Sequence, residues 1–297
     1  MNNSLLTPFF KKYKDLLENQ LRASIEGLTA PSVIKEAMLY SLEAGGKRIR
    51  PMLLFAVIDA FGDRAEKGLL TAAAVEMIHT YSLIHDDLPS MDNDDLRRGR
   101  PTNHKVFGDA FAILAGDALL TYSFQLVAET ADSDADAETK LKLIRELSIA
   151  AGAEGMVGGQ VADMNGENKA LSLEELEYIH NHKTGKLLAF CAVAGAIIAG
   201  AEDSIVEKFR AFAHHLGLAF QIRDDILDLE GNEETLGKPV GSDEHNHKST
   251  YPSLLTMEGA KEALEKEIAS ATGLLKDTGL NTSLLEELTD LVANRDH

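Results

Sequence analysis

FRAFAHHLGLAFQIRDDILD, residues 209–228, decides the fold. Its apolar residues Phe209, Phe212, Ala213, Leu216, Ala219 and Phe220 fall three and four apart, the spacing of one helix face rather than the alternation of a strand. The stretch sits in a long region without proline, since none falls between Pro101 and Pro239. Proline disfavours helix interiors, so that region is free to hold several long helices. Glu174, Leu176, Ile179 and Lys183 repeat the helical spacing, and Asn-Gly turns flanked by β-branched runs are nearly absent. No low-complexity tract or Pro/Ser linker marks a boundary, and Ala131–Ala137 reads as a helix–helix turn. The expectation is an all-α chain, one domain over 1–297, of ten or more helices. Two segments read as long loops, Asp94–Asp109 and Glu230–Thr250, and loops of such length in a compact domain are often functional.

Hydrophobic residues make up 44% of the 297, enough for a sizeable core. The formal net charge is −19. Such a surface repels nucleic acid and anionic membranes, which excludes both as expected partners and makes any Lys/Arg cluster informative. The single cysteine, Cys191, lies in an apolar run and reads as a buried hydrophobe in a reducing compartment. The first residues lack a basic start followed by an apolar block, so no signal peptide is expected. The most membrane-like stretch, Leu187–Ala201, is shorter than the roughly 20 residues a spanning helix needs, and its Ala and Gly suit a buried helix. A cytoplasmic protein is expected.

The opening stretch ends in Asp224-Asp225-Ile226-Leu227-Asp228. Residues four apart on a helix differ by about 40° in azimuth, so Asp224 and Asp228 share a face. Like charges there repel unless the face meets water or a cation. A second cluster, Asp86-Asp87-Leu88-Pro89-Ser90-Met91-Asp92, follows a helical segment over Ala72–His85. Pro89 implies that the helix ends there, letting the chain bring Asp92 back towards Asp86. Both clusters offer hard oxygen ligands with few histidines, which favours Mg²⁺. Mg²⁺ takes one or two carboxylates and completes its octahedron with water and phosphate oxygens, so the expected ligand is a metal–diphosphate complex. Chance doublets on a solvated face are the bland alternative, which two clusters after two apolar helices disfavour.

Positive charge gathers in GGKRIRP (45–51), in Leu96-Arg97-Arg98-Gly99-Arg100, in Lys183-Thr184-Gly185-Lys186, and at Lys238 and Lys248. Arg binds phosphate bidentately and Lys as a point charge, and Gly45 and Gly46 let backbone approach a ligand. With the carboxylate clusters these describe a site for two diphosphates, one metal-bound and one held by cations alone.

From about Ala44 to Leu255 the sequence resembles the trans-isoprenyl diphosphate synthases, and within them the bacterial farnesyl type. The likeness is carried in order by GGKRIRP, HTYSLIHDDLPSMDNDDLRRGRPTNH (79–104), GGQ (158–160), HKTGKL (182–187), FQIRDDILD (220–228), LGKPVGSD (236–243) and KSTYP (248–252). It implies the isoprenoid-synthase fold, a single-domain bundle of ten or more helices around a central apolar cavity, and a homodimer. It implies that Asp86 and Asp92, with Asp87 nearby, bind Mg²⁺ on the allylic diphosphate, and that Asp224, with Asp225 and Asp228, binds another Mg²⁺. Lys47, Arg50, His79 and Arg98 would hold isopentenyl diphosphate. Arg97, Lys183, Thr184, Gln221 and Lys238 would contact dimethylallyl or geranyl diphosphate, and Lys248 would help close the site. Asp86, Asp92, Asp224, Arg97 and Lys183 are the residues the chemistry would depend on. Asn93, where close relatives often carry Asp, lies outside these positions.

The implied reaction is head-to-tail prenyl transfer, in which an allylic cation forms as diphosphate departs and is attacked by the double bond of isopentenyl diphosphate. The cation needs shelter from water, and Glu230–Thr250 is the expected lid. The resemblance implies a fifteen-carbon product, through Tyr81 and Ser82 on the helix before Asp86 together with Pro89-Ser90 inside the first motif. A geranylgeranyl diphosphate synthase of the same family is the nearest alternative. A di-iron bundle protein would use Glu76-x-x-His79 and Glu177-x-x-His180, but leaves the aspartate and arginine clusters unexplained. A terpene cyclase is opposed by the second Asp-rich motif, and a non-catalytic subunit by the filled ligand positions.

Overall fold

The structure is a computed structural model and describes residues 4–230 and 249–295. The chain falls into two compact units, one of Thr7–Phe55 and Arg64–Ile144, the other of Met1–Leu6, Ala56–Asp63 and Arg145–His297. Each holds one aspartate cluster.

The first-cluster unit contains α1 (Leu6–Glu26), α2 (Ser32–Leu42), most of α3 (Ile49–Ala60), a 3₁₀ turn (Ala65–Gly68) and α4 (Leu69–Asp86). After α4 come β1 (Leu96–Arg97), β2 (Arg100–Pro101), α5 (Asn103–Phe107) and α6 (Asp109–Ala128), and α7 (Ala137–Ala151) starts here. Pro51 sits in the first turn of α3, where its missing N–H costs nothing. α4 is buried almost all round from Thr71 to Ile78, as its Ala-rich sequence requires. It packs on α6, and the approach is set by Gly116. A Cβ there would lie 2.1 Å from His85 Nε2, which instead sits 3.1 Å from the Ile113 carbonyl.

The second-cluster unit contains α8 (Met156–Gly166), α9 (Leu173–Ile179), a π-helical turn (His180–Gly185), α10 (Lys186–Ile198), α11 (Asp203–Glu230), α12 (Tyr251–Lys276) and α13 (Ser283–Asn294). Ser172 and Glu175 form a capping box that starts α9. α10 is buried from Leu187 to Ile198, with Cys191 inside it. α11 buries Leu218, Ala219, Ile222 and Ile226 against Tyr251, Ala260 and Leu264 of α12. Each large apolar side chain so buried contributes roughly 1.5–3 kcal/mol. Thr256 has φ 71° and kinks α12 just past its first turn.

The all-helical expectation and the count of ten or more helices hold among the described residues. Three sequence expectations need correction. Asp94–Asp109 is not an unstructured loop. Arg98 (φ 54°) and Gly99 (φ 73°) make a two-residue turn with both φ positive, which joins β1 to β2 as an antiparallel hairpin before α5. The periodicity through Lys183 is not one α-helix, because α9 ends at Ile179 and the chain widens into the π-turn. The most membrane-like stretch is α6, whose length and composition would allow a span, with 39% of its apolar window buried. Of the expected lid, Lys238 and Lys248 lie outside the described residues, Glu230 ends α11, and Thr250 caps α12.

Candidate active site

In the first-cluster unit α4 stops at Asp86, as Pro89 demands. The turn that follows is closed by backbone: Asp92 N–H donates to the Asp86 carbonyl at 2.9 Å, and Met91 and Asn93 N–H to that of Leu88 at 2.9 and 3.1 Å. Asp92 is thus folded back onto the helix end and stays exposed, with Asp86 half-buried. Asp87 points inward and is buried. Arg97 of β1 grips its Oδ1, with Nη2 at 2.6 Å and Nε donating at 2.7 Å. Burial pushes the Asp87 carboxyl above its ordinary range, outweighing the pull of Arg97. Tyr81, one turn before His85 and edge-on to it at 5.7 Å, is buried, and burial with the Asp86 charge pushes its phenol up to about 12. Ser82 Oγ donates to the His79 carbonyl at 2.9 Å.

The arginines of the same unit divide their work. Arg48 is buried, pairs with Glu76 of α4 and donates to the Leu42 carbonyl at 2.6 Å. It fixes GGKRIRP to α4. Arg98 donates to the Gly45 carbonyl, and its guanidinium covers Gly46, where a Cβ would lie 2.9 Å from Nη1. Gly46 has φ 134°, so both conformation and contact require glycine there. His79 lies within the field of Arg50, Arg98, Arg48 and Arg97. Burial first, then those cations, holds its imidazole well below the usual histidine range and therefore neutral at pH 7. A convergence of guanidinium charge on one neutral histidine suits an anion. Lys47 is exposed.

In the second-cluster unit, Asp224, Asp225 and Asp228 of α11 border a cavity of about 330 Å³ together with Lys183, Thr184 and Gln221. Lys183 and Thr184 come from the π-turn, whose extra residue redirects side chains, as such bulges often do at functional sites. Two glycines make room for it. A Cβ on Gly159 of the GGQ motif would lie 2.1 Å from the Lys183 nitrogen, and one on Gly217 of α11 would lie 3.2 Å from Gly185 Cα. Lys183 Nζ pairs with Asp163 of α8 at 2.6 Å. Asp225 is buried and accepts the Tyr251 N–H at the start of α12 at 2.9 Å, with His180 Nε2 3.5 Å away. Asp224 is half-exposed, with its Oδ1 2.6 Å from Arg295.

A protein-family model for polyprenyl synthetases matches residues 31–288. The chain belongs to the polyprenyl synthetase family. Among its relatives are the farnesyl diphosphate synthases of Bacillus subtilis and Geobacillus stearothermophilus. Each is 58% identical to it, the first over 98% of this chain and 99% of the relative, the second over 97% of both. A chloroplastic geranylgeranyl pyrophosphate synthase of Catharanthus roseus is 48% identical over 86% of this chain and 73% of its own length. The apo crystal structure of an FPP/GFPP synthase from Zymomonas mobilis superposes with a TM-score of 0.82 at 34% identity, covering 96% of this chain and 97% of that one. These likenesses span nearly the whole chain and fix the all-helical isoprenoid-synthase fold.

The donor sets in this polyprenyl synthetase family member fit magnesium in one particular way. Among the described residues no three His, Cys, Asp or Glu side chains converge into a ready cage. Hard carboxylates instead line one wall of a cavity with room beside them. That arrangement fits an ion which brings water and phosphate oxygens of its own. The residues of the di-iron reading are spent elsewhere: Glu76 on Arg48, His79 among arginines, and Glu177 Oε1 on the Tyr251 hydroxyl at 3.0 Å.

Sequence reasoning missed Asp163, Tyr251 as an anchor of Asp225, and Arg295. Asp163 follows the GGQ motif by one helical turn and Tyr251 lies inside KSTYP, so both had a signal. Arg295 had none.

Proposed function

We propose that this chain is a magnesium-dependent farnesyl diphosphate synthase. It would condense isopentenyl diphosphate with dimethylallyl and then geranyl diphosphate, all 297 residues serving as one catalytic domain. The observation that carries the reading is the cavity where Asp224, Asp225 and Asp228 meet Lys183, Thr184 and Gln221. The full-length likeness to two farnesyl diphosphate synthases supports the substrate class.

In this reading Asp86 and Asp92 of one unit, and Asp224 and Asp228 of the other, would hold Mg²⁺, which would supply positive charge to a departing diphosphate. Lys183, held by Asp163, and Arg97, held by Asp87, add fixed cations that need no reorganisation as the bond breaks. Gln221 and Thr184 orient the same diphosphate by hydrogen bonds. Arg50, Arg98, Lys47 and neutral His79 hold isopentenyl diphosphate, so its double bond is presented without a metal. Leu171, Leu176, Ile179 and Leu227 of the cavity wall exclude water from the allylic cation. Lys238 and Lys248, outside the described residues, would complete the diphosphate contacts. No protein nucleophile is required.

We place the enzyme in the cytoplasm as a homodimer. Phe111, Ile113 and Leu114 of α6 are exposed large apolar residues, and Asp117, also exposed on that helix, opposes a membrane span because a carboxylate at mid-helix costs about 2.5–3.5 kcal/mol there. A second copy of the chain is the occupant this face suits. Incubation with isopentenyl diphosphate, geranyl diphosphate and Mg²⁺, with product length read by mass spectrometry, tests the function. A fifteen-carbon diphosphate is expected, and no prenyl transfer would refute it.

A further inference from the structure

Arg295 belongs to none of the sequence motifs, yet it makes a dense set of contacts with the helix that carries the second cluster. It follows α13 directly and its side chain is only 9% exposed. The guanidinium carbon lies 3.7 Å from the centroid of the Phe220 ring. Nη2 donates to the Phe220 carbonyl at 2.6 Å and stands 2.6 Å from Asp224 Oδ1. Arg223 closes the arrangement from the other side, its Nε and Nη2 donating to the Arg295 carbonyl at 3.0 and 2.7 Å. The clamp is therefore reciprocal: α11 holds the backbone of Arg295, and Arg295 holds a carbonyl, a ring and a carboxylate of α11.

Burying a guanidinium this far is costly unless a carboxylate compensates it. Asp224 is the carboxylate that does so, and it is also the residue that the proposed reading assigns to magnesium. A divalent cation on Asp224 would face the Arg295 guanidinium at close range, where like charges repel. We propose that Arg295 is a positioning residue that serves Asp224 as a resident counter-cation: it holds the carboxylate while no metal is present and competes with magnesium–diphosphate for it. The inference rests on the magnesium assignment made above. It implies that metal loading loosens the grip between Arg295 and α11, and that the enzyme's magnesium requirement is set partly by a residue outside every family motif.

The test is calorimetric titration of preformed magnesium pyrophosphate into the wild-type protein, Arg295→Gln and Arg295→Lys, with melting curves of each before and after. Competition predicts that Arg295→Gln binds about 3- to 10-fold tighter than wild type and melts lower only without the ligand. Arg295→Lys, which keeps the charge, is expected to return the affinity towards wild type. Equal or weaker binding by Arg295→Gln would overturn the competition while leaving the metal assignment standing. No binding by the wild type at all would remove the metal assignment, and the competition with it.

Discussion

The two aspartate clusters reach similar ends by different backbone means. Asp224 and Asp228 lie inside α11, and helical periodicity alone puts them on one face. Asp86 and Asp92 are six apart at a helix end, and they meet because the Pro89 turn closes through the Asp92 N–H to Asp86 carbonyl bond. In both doublets the second aspartate is buried and committed to structure. Asp87 anchors Arg97, and Asp225 holds the first backbone N–H of α12. The first aspartate of each doublet remains half-exposed. In the proposed reading the doublet is therefore two residues with separate duties, one facing the ligand and one fixing what surrounds it.

The largest expected effects test the ligand-facing half of that division. Asp86→Ala and Asp224→Ala are each expected to lower turnover by at least about a hundredfold, because in the proposed reading each removes support for charge on the leaving group. Steady-state rates at saturating substrate and Mg²⁺ check this. Near-normal turnover in one variant alone would confine the metal role to the other cluster. The anchoring half is tested by melting. Asp87→Ala leaves Arg97 only the exposed Asp94, 3.6 Å away, and should cost about 2 kcal/mol, less than a fully buried pair because Arg97 is 31% exposed. Asp86→Asn, which keeps the side-chain shape at a half-buried position, should cost less than Asp87→Ala. Denaturant unfolding of the two variants side by side gives the comparison, and equal losses would erase the distinction.

The same contrast explains what was legible in the sequence. Helical spacing exposed α11 and its face, and Pro89 exposed the end of α4, because both are local rules. The hairpin at Arg98-Gly99 was missed. Its strands are two residues each, too short to show alternation, and its turn uses an arginine at positive φ that no common turn signal announces. The π-turn was missed because one extra residue hardly disturbs apolar spacing, while its cause, Gly159 and Gly217 crowding against it, lies on other helices. Arg295 was beyond reach for a related reason. Its partners are on α11, some 70 residues earlier, and no spacing rule joins them. The motif residues could be named from the sequence, but which side chain holds each of them could not.

A subtler test bears on α4, the helix that delivers the first cluster. Tyr81 stands five residues before Asp86, roughly 7.5 Å back along the axis, and it is buried against His85. If its ring limits the space for the growing chain, Tyr81→Ala should shift product from fifteen carbons towards twenty while metal-dependent turnover survives. Product ratios by mass spectrometry decide it, and an unchanged fifteen-carbon product would leave chain length without this cause. α11 offers the control: a truncation such as Leu227→Ala at the second cluster is not expected to lengthen the product.

The smallest expected effect concerns His79, which lies in the field of four arginines, whereas His180 beside the second cluster faces the Asp225 carboxylate at 3.5 Å. Its imidazole is held below the ordinary range near 6.5 by burial and by the arginines around it. The sign follows from that depression. Below about pH 6.5 the unfolded chain takes up a proton that the folded site refuses, so stability falls as pH drops, and above that value the difference vanishes. One proton is worth at most about 1.4 kcal/mol per pH unit. His79→Gln keeps a neutral, hydrogen-bonding side chain and should flatten the acid limb of the stability curve by up to that slope between pH 6.5 and 5.5, with little change at pH 8. Urea unfolding of both proteins across that range measures it. Identical slopes would mean that the arginines do not hold His79 neutral, and that the anion site carries less positive field than its geometry suggests.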